Sequence, residues 1–175
     1  MESSMQSIWK ELEIILSGVA PSVVTTLNEP ATKQEIVILE DLTGYSLPAE
    51  LKEYLSIHNG QNDPSRLETL CEEGTLLPVG AIVETYNMLN EINESGDLSD
   101  GEWWNRKFLP LTDGEGDHLS IDLESGELVM HVHDSEIEYG IANTLTDWFR
   151  EKLSVFKEGR YKIDDGFIDY WVTGS

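Results

Sequence analysis

The sequence predicts an α+β fold, an antiparallel β-sheet meander flanked by helices, built as one domain over residues 1–175. In several segments between Met5 and Leu89 apolar residues recur three and four positions apart, the spacing of helices with one buried face. After Gly101 the period changes to two, the spacing of strands. The strand-like runs are joined by tight turns rather than by crossover helices, which argues against a parallel βαβ sheet. A chain of this length buries roughly 70% of its unfolded surface on folding and needs no disulfide staple.

Taken in order, Met5, Ile8, Trp9, Leu12, Ile15 and Leu16 define a helix over residues 4–18 that stops before Pro21. Thr32-Lys33-Gln34-Glu35 is a capping-box pattern opening a second helix. Ile36, Leu39 and Leu42 give it an apolar face and Gly44 ends it. Pro48 suits the first turn of a third helix, where its missing N–H would have no intrahelical partner. Leu51, Tyr54, Leu55 and His58 share one face of that helix, and Asn59-Gly60 supplies the left-handed stop. Leu76-Leu77-Pro78-Val79 reads as a short strand or edge segment. Ile82, Tyr86 and Leu89 read as a further helix, leading into the polar stretch Glu91 to Gly101.

Phe108 to Leu111 and Leu119 to Leu123 then read as two strands joined by an acidic turn in which Gly114 and Gly116 supply positive φ. Leu119, Ile121 and Leu123 point inward, with Ser120 and Asp122 on the opposite face. Glu124-Ser125-Gly126-Glu127 is turn chemistry. In the next strand Leu128, Met130 and Val132 form the apolar face, alternating with Val129, His131 and His133. Tyr139 to Ala142 is a third consecutive strand. Thr144 caps a closing helix whose face is Leu145, Trp148, Phe149, Leu153 and Phe156. The aromatic tail, residues 158–175, is expected to pack back onto the body.

Composition restricts the function. The single cysteine, Cys71, excludes an internal disulfide or a cysteine-based metal cluster and fits a reducing compartment. The first residues lack the basic start and apolar core of a signal peptide, and no run approaches the ~20 apolar residues of a membrane span. A cytoplasmic, soluble protein is expected. The net charge is −23, from 34 acidic and 11 basic residues. Between Leu67 and Phe149 there are 19 acids and two cations, Arg106 and Lys107. Such a surface repels nucleic acid and anionic lipid and attracts basic proteins, although high net charge also serves solubility alone.

Several clusters invite a chemical reading. Asp113, Glu115, Asp117 and Glu124 occupy positions one, three, five and twelve of a calcium loop, but His118 stands where that loop requires glycine. An acidic hairpin turn is the better reading. His131 and His133 lie on one strand face with His118 and Asp134 nearby, the ingredients of a metal site or a general base, yet no third ligand has a diagnostic spacing. His58 is read as a helix-end residue. Neighbouring Glu72 and Glu73 raise the pKa of Cys71 and make it a poor nucleophile. P-loop, dinucleotide and zinc-protease signatures are absent from the sequence. No catalytic residue, metal ligand or cofactor is assigned. Trp103-Trp104 offers an aromatic anchor for a partner, with at least one of the pair buried.

Leu47-Pro48-x-Glu50-Leu51, Tyr54-x-x-x-His58-Asn59-Gly60-Gln61, Trp104 before Phe108-Leu109-Pro110, Asp113-Gly114 with Gly116-Asp117-His118-Leu119-x-Ile121-Asp122-Leu123, and Trp148 occur in an order and spacing that resemble the SUKH superfamily. The resemblance covers roughly residues 30–150; Phe108 stands where the family often has a tryptophan-led strand, and the tail after Lys157 has no counterpart in the family core. The superfamily contains Smi/Knr-like cell-wall assembly regulators of fungi and bacterial immunity proteins that neutralise polymorphic toxins, often nucleases. The resemblance therefore implies a non-enzymatic protein that binds a cognate toxin domain with a basic surface, without nucleic-acid or membrane partners. A regulatory scaffold is the alternative, and a histidine-based hydrolase or metal enzyme a third reading. The expected partner-binding residues are Asp113, Glu115 and Asp117 at the turn, Glu94, Asp97, Asp100 and Glu102 in the polar stretch, and Trp103 as anchor. The sequence leaves the oligomeric state open.

Overall fold

Six helices and eight short strands make up the fold in the computed structural model, which describes residues 4–96 and 101–169. Helix α1 (Ser4–Val19) buries Met5, Ile8, Trp9, Leu12 and Leu16 on one face. Ala20 turns the chain, and Pro21 opens a short helix α2 (Pro21–Thr26) that the apolar spacing does not reveal. Helix α3 (Lys33–Thr43) begins with the expected capping box. The Glu35 N–H donates to Thr32 Oγ1 at 3.1 Å and the Thr32 N–H to Glu35 Oε1 at 3.0 Å. Gly44, with φ of 77°, ends the helix as expected.

Helix α4 (Ala49–Leu55) is shorter than its sequence pattern suggests, and His58 lies in the turn beyond it. The reason is tertiary. The chain from Leu55 to Asn62 exchanges backbone hydrogen bonds with residues 26–31: Ala31 N–H to Leu55 O, Asn59 N–H to Glu29 O, Asn28 N–H to Gly60 O and Asn62 N–H to Thr26 O, all at 2.7–3.0 Å. These bonds satisfy groups that another helical turn would otherwise have used.

Strand β1 (Thr75–Leu76) is followed directly by helix α5 (Val79–Ser95), so Val79 opens a helix rather than closing a strand. Strands β2 (Phe108–Pro110), β4 (His118–Asp122), β5 (Leu128–His131) and β6 (Glu138–Ala142) form an antiparallel sheet in the order β2-β4-β5-β6. Strand β3 (Thr112–Asp113) leaves this sheet to pair with β1. Helix α6 (Leu145–Lys157) follows, its first turn capped by Thr144, which accepts from the Asp147 N–H at 3.0 Å. The described chain ends in a hairpin of β7 (Lys162–Asp164) and β8 (Phe167–Asp169).

The core joins α1, α4 and α6 through Trp9, Tyr54 and Phe149, whose ring centres lie 5.0–6.0 Å apart. The expected one-sided burial of the central strands does not hold. Leu119, Ile121, Leu128 and Met130 share one sheet face through direct cross-strand pairing. On the other face Ser120 and His131 are fully buried, and His118, Asp122 and Val129 nearly so. That second face is covered by Trp103 and Trp104, whose rings pack edge-on against His131 at 4.5 and 5.4 Å. The sheet is thus covered on both sides, and alternation no longer separates core from surface.

Candidate functional site

Much of the motif set that suggested the family holds the fold together. Glu50 reaches from α4 to the start of α6, where its carboxylate accepts from the Thr146 N–H at 2.6 Å and the Thr146 hydroxyl at 3.0 Å. Asn59 Oδ1 accepts from the Val79 N–H at 2.8 Å and so caps α5 from outside the helix. Gly60, at φ of 63°, passes so close to Leu77 that a Cβ would lie 2.5 Å from its backbone carbon. The buried Gln61 side chain donates to Thr26 Oγ1 and Glu68 O and accepts from the Leu70 and Leu76 N–H groups. His58 faces two acceptors, the Asn28 carbonyl at 2.8 Å and the Glu13 carboxylate.

The acidic turn is a tight hairpin. Gly114 and Asp117 bridge, and Glu115 (φ 57°) and Gly116 (φ 96°) occupy the two central positions. The left-handed residues are therefore Glu115 and Gly116, not Gly114 and Gly116. Gly114 is required for a different reason: a Cβ there would lie 2.7 Å from Glu73 O. Gly74 makes the reciprocal approach, with a Cβ 2.2 Å from Asp113 O. The two glycines let the 71–75 turn dock against the hairpin.

The predicted binding residues differ in their freedom. Glu115 stands exposed at the tip. Asp113 is held by Arg66 at 2.6 Å, and Asp117 accepts from His133 Nδ1 at 2.7 Å and from the His133 N–H at 3.0 Å. Burial alone would raise the Asp117 pKa; the His133 hydrogen bonds more than offset this and leave it below the ordinary value. His133 is shifted upward by the same bond. Glu124, the last residue of the calcium template, is directed away to Tyr45, whose hydroxyl donates to it at 2.9 Å. Trp103 is half-buried rather than free, its Nε1–H donating to His133 O at 3.0 Å. Trp103, His133 and Asp117 thus form a continuous chain beside the hairpin. Glu94 sits near the end of α5 within 3.2 Å of Arg106, and Glu102 is exposed. Asp97 and Asp100 lie outside the described residues.

The histidines do not assemble a metal site. His118 and His131 are direct cross-strand partners with rings stacked 5.6 Å apart, whereas His133 turns outward. Neither ring nitrogen of His131 has a hydrogen-bond partner among the described residues. Burial, then the adjacent His118, pull its pKa down to about 4. Among the described residues no three His, Cys, Asp or Glu side chains are grouped to hold a metal ion. Cys71 is fully buried; burial first, then Glu73, push its thiol far above the ordinary range.

What sequence reasoning missed is a groove of about 1110 Å³ beside the hairpin. Leu67, Met130 and Ile141 contribute apolar surface from three separate parts of the chain, and Phe167 and Ile168 add more from the C-terminal hairpin. Glu72, Glu115, Glu138 and Asp164 line it with exposed carboxylates. Arg66 is the one cation among its described lining residues, and it is paired with Asp113. Behind Glu73, which also lines the groove, Lys152 lies 2.8 Å from Glu73 Oε1 and 5.0 Å from the centre of the Trp148 ring. Burial pulls the Lys152 pKa down, but Glu73 outweighs it, and the group stays above its ordinary value. The signal for the C-terminal wall is Asp165-Gly166, the two-residue turn of β7–β8, with φ of 51° and 85°.

Comparison with known proteins gives one family match: the SMI1 / KNR4 family (SUKH-1), over residues 30–151. No curated protein matches the chain significantly. The matched region runs from just before α3 into the middle of α6 and leaves out α1, α2 and the β7–β8 hairpin.

Proposed function

The chain belongs to the SMI1/KNR4 (SUKH-1) family, and on that premise we propose that it is an immunity protein, neutralising a cognate toxin domain by stoichiometric binding. The observation that carries this reading is the acidic surface around the Gly114–Asp117 turn, where the exposed Glu115 and the adjoining groove present carboxylates with few cations among them. A nuclease exposes a basic face to its phosphodiester substrate, and an acidic protein that covers this face both blocks substrate and associates rapidly. Glu115 is the foremost contact, Asp113 and Asp117 shape the turn, and Glu94 and Glu102 add negative charge, as do Asp97 and Asp100 outside the described residues. Trp103, half-buried against His131, is the aromatic anchor of this surface.

Binding rather than catalysis is supported by where the reactive groups sit. His131 is sealed beneath two tryptophans, and Cys71 is buried with a thiol that stays protonated at neutral pH. Among the described residues no helix is long and apolar enough to cross a membrane. The direct test is co-expression in cells of this chain with the product of the adjacent upstream gene, the candidate toxin. Restored growth with the wild-type chain, and reduced protection by Glu115→Lys, is the expected result. Equal toxicity with and without the chain contradicts the reading.

A further inference from the structure

We propose that the groove beside the hairpin receives a single amphipathic, basic segment of the partner protein, and that the β7–β8 hairpin selects it. The inference rests on the binding reading above and narrows it from a broad basic face to one inserted segment. Part of the groove's lining is apolar and open: Leu67 is 59% and Ile141 37% exposed, and Met130 and Phe167 line it too. An exposed apolar strip of this kind on a strongly charged protein marks a contact surface. The same lining carries exposed acids, Glu72, Glu115, Glu138 and Asp164, while Arg66 is already taken by Asp113. A segment that alternates Lys or Arg with apolar residues satisfies both parts at once. A second copy of this chain does not, since it carries the same net charge of −23.

The hairpin that forms one wall lies beyond residue 151, outside the region matched to the family. It is anchored by Tyr161, whose ring lies 5.0 Å from Phe156, and by Ile168 against the core. Most of its other residues are exposed, so its sequence is free to change without disturbing the interior. A wall attached outside the matched region in this way can set which segment this chain accepts without altering the core of the fold.

The test uses the full chain and three fluorescent peptides of equal length: alternating Lys and Leu, oligolysine, and alternating Glu and Leu. The Lys/Leu peptide is expected to bind one-to-one and about tenfold tighter than oligolysine, because its leucines cover the apolar lining. The Glu/Leu peptide is expected not to bind. Amide shifts on binding should map to Met130, Ile141 and Phe167, and the Glu138→Lys, Asp164→Lys variant should lose about tenfold in affinity. Equal affinity for Lys/Leu and oligolysine, or shifts confined to other surfaces, overturns the groove assignment. A toxin domain that binds the wild-type chain and this variant equally also overturns it and leaves the immunity reading standing. A peptide seated in the groove together with a toxin domain that does not bind has the opposite meaning.

Discussion

At the residue scale, His131 and His133 respond to pH in opposite directions although they are two positions apart. The His131 pKa is lowered to about 4 by burial and then by His118, with Asp117 opposing and His133 adding to the shift. In the unfolded chain the same ring titrates near 6.5, so between those values only the unfolded state takes up the proton. Stability therefore falls as pH drops from about 6.5 towards 4, by roughly 2–3 kcal/mol from this group alone. His133 is raised by Asp117, so its ion pair is present below the unfolded value and is lost as pH rises through the folded one. His131→Leu removes two unpaired buried nitrogens and should leave stability at pH 7 within about 1 kcal/mol of wild type. At pH 4.5 the variant should be more stable than wild type by about 2 kcal/mol in urea unfolding. Parallel losses in both proteins would show that the His131 ring does not carry the acid response.

At the element scale, the parts with local chemical signals were legible in the sequence. Thr32 with Glu35, Thr144 and Gly44 announced helix ends through their own backbone hydrogen bonds. The parts set by distant groups were not. Helix α4 stops early because residues 26–31 capture the following turn, and α5 is capped by Asn59 from 20 positions away. The two-sided cover of the sheet depends on Trp103 and Trp104 reaching His131, which no period-two pattern encodes. For the candidate site, the hairpin was legible from Asp113 to Asp117, but the groove was not. Its walls come from positions as far apart as Leu67 and Asp169, and only the Asp165-Gly166 turn gave a local sign of the last wall. The docking of the 71–75 turn on the hairpin predicts a sharp position effect. Gly74→Ala forces backbone apart, both by its φ of 116° and by the 2.2 Å approach to Asp113 O, and should cost about 3 kcal/mol or more. Gly126→Ala, also at positive φ but with open space around it, should cost only about 1 kcal/mol. Equal losses in thermal unfolding would mean that the close approach does not matter.

At the scale of the whole molecule, a net charge of −23 acts on folding and on binding with opposite dependence on salt. Within the chain the surplus acids repel one another, and salt screens that repulsion over about a Debye length, ~10 Å at 0.1 M. The melting temperature should therefore rise as sodium chloride increases from low to moderate concentration. A flat or falling curve would mean that paired acids, such as Asp122 with Lys107 at 3.2 Å, outweigh the unpaired ones. Between this chain and a basic partner the same screening weakens attraction. The combination separates a protein built to bind from one that is acidic only to stay soluble, since solubility alone predicts the folding effect without the binding effect.

Binding and its dependence on charge are read together by calorimetric titration of the full chain with the product of the adjacent upstream gene, at low and at high salt. Tight one-to-one binding that weakens as salt rises, while the chain itself becomes more stable, is the expected result. No binding heat at either salt, with both proteins folded, would contradict it.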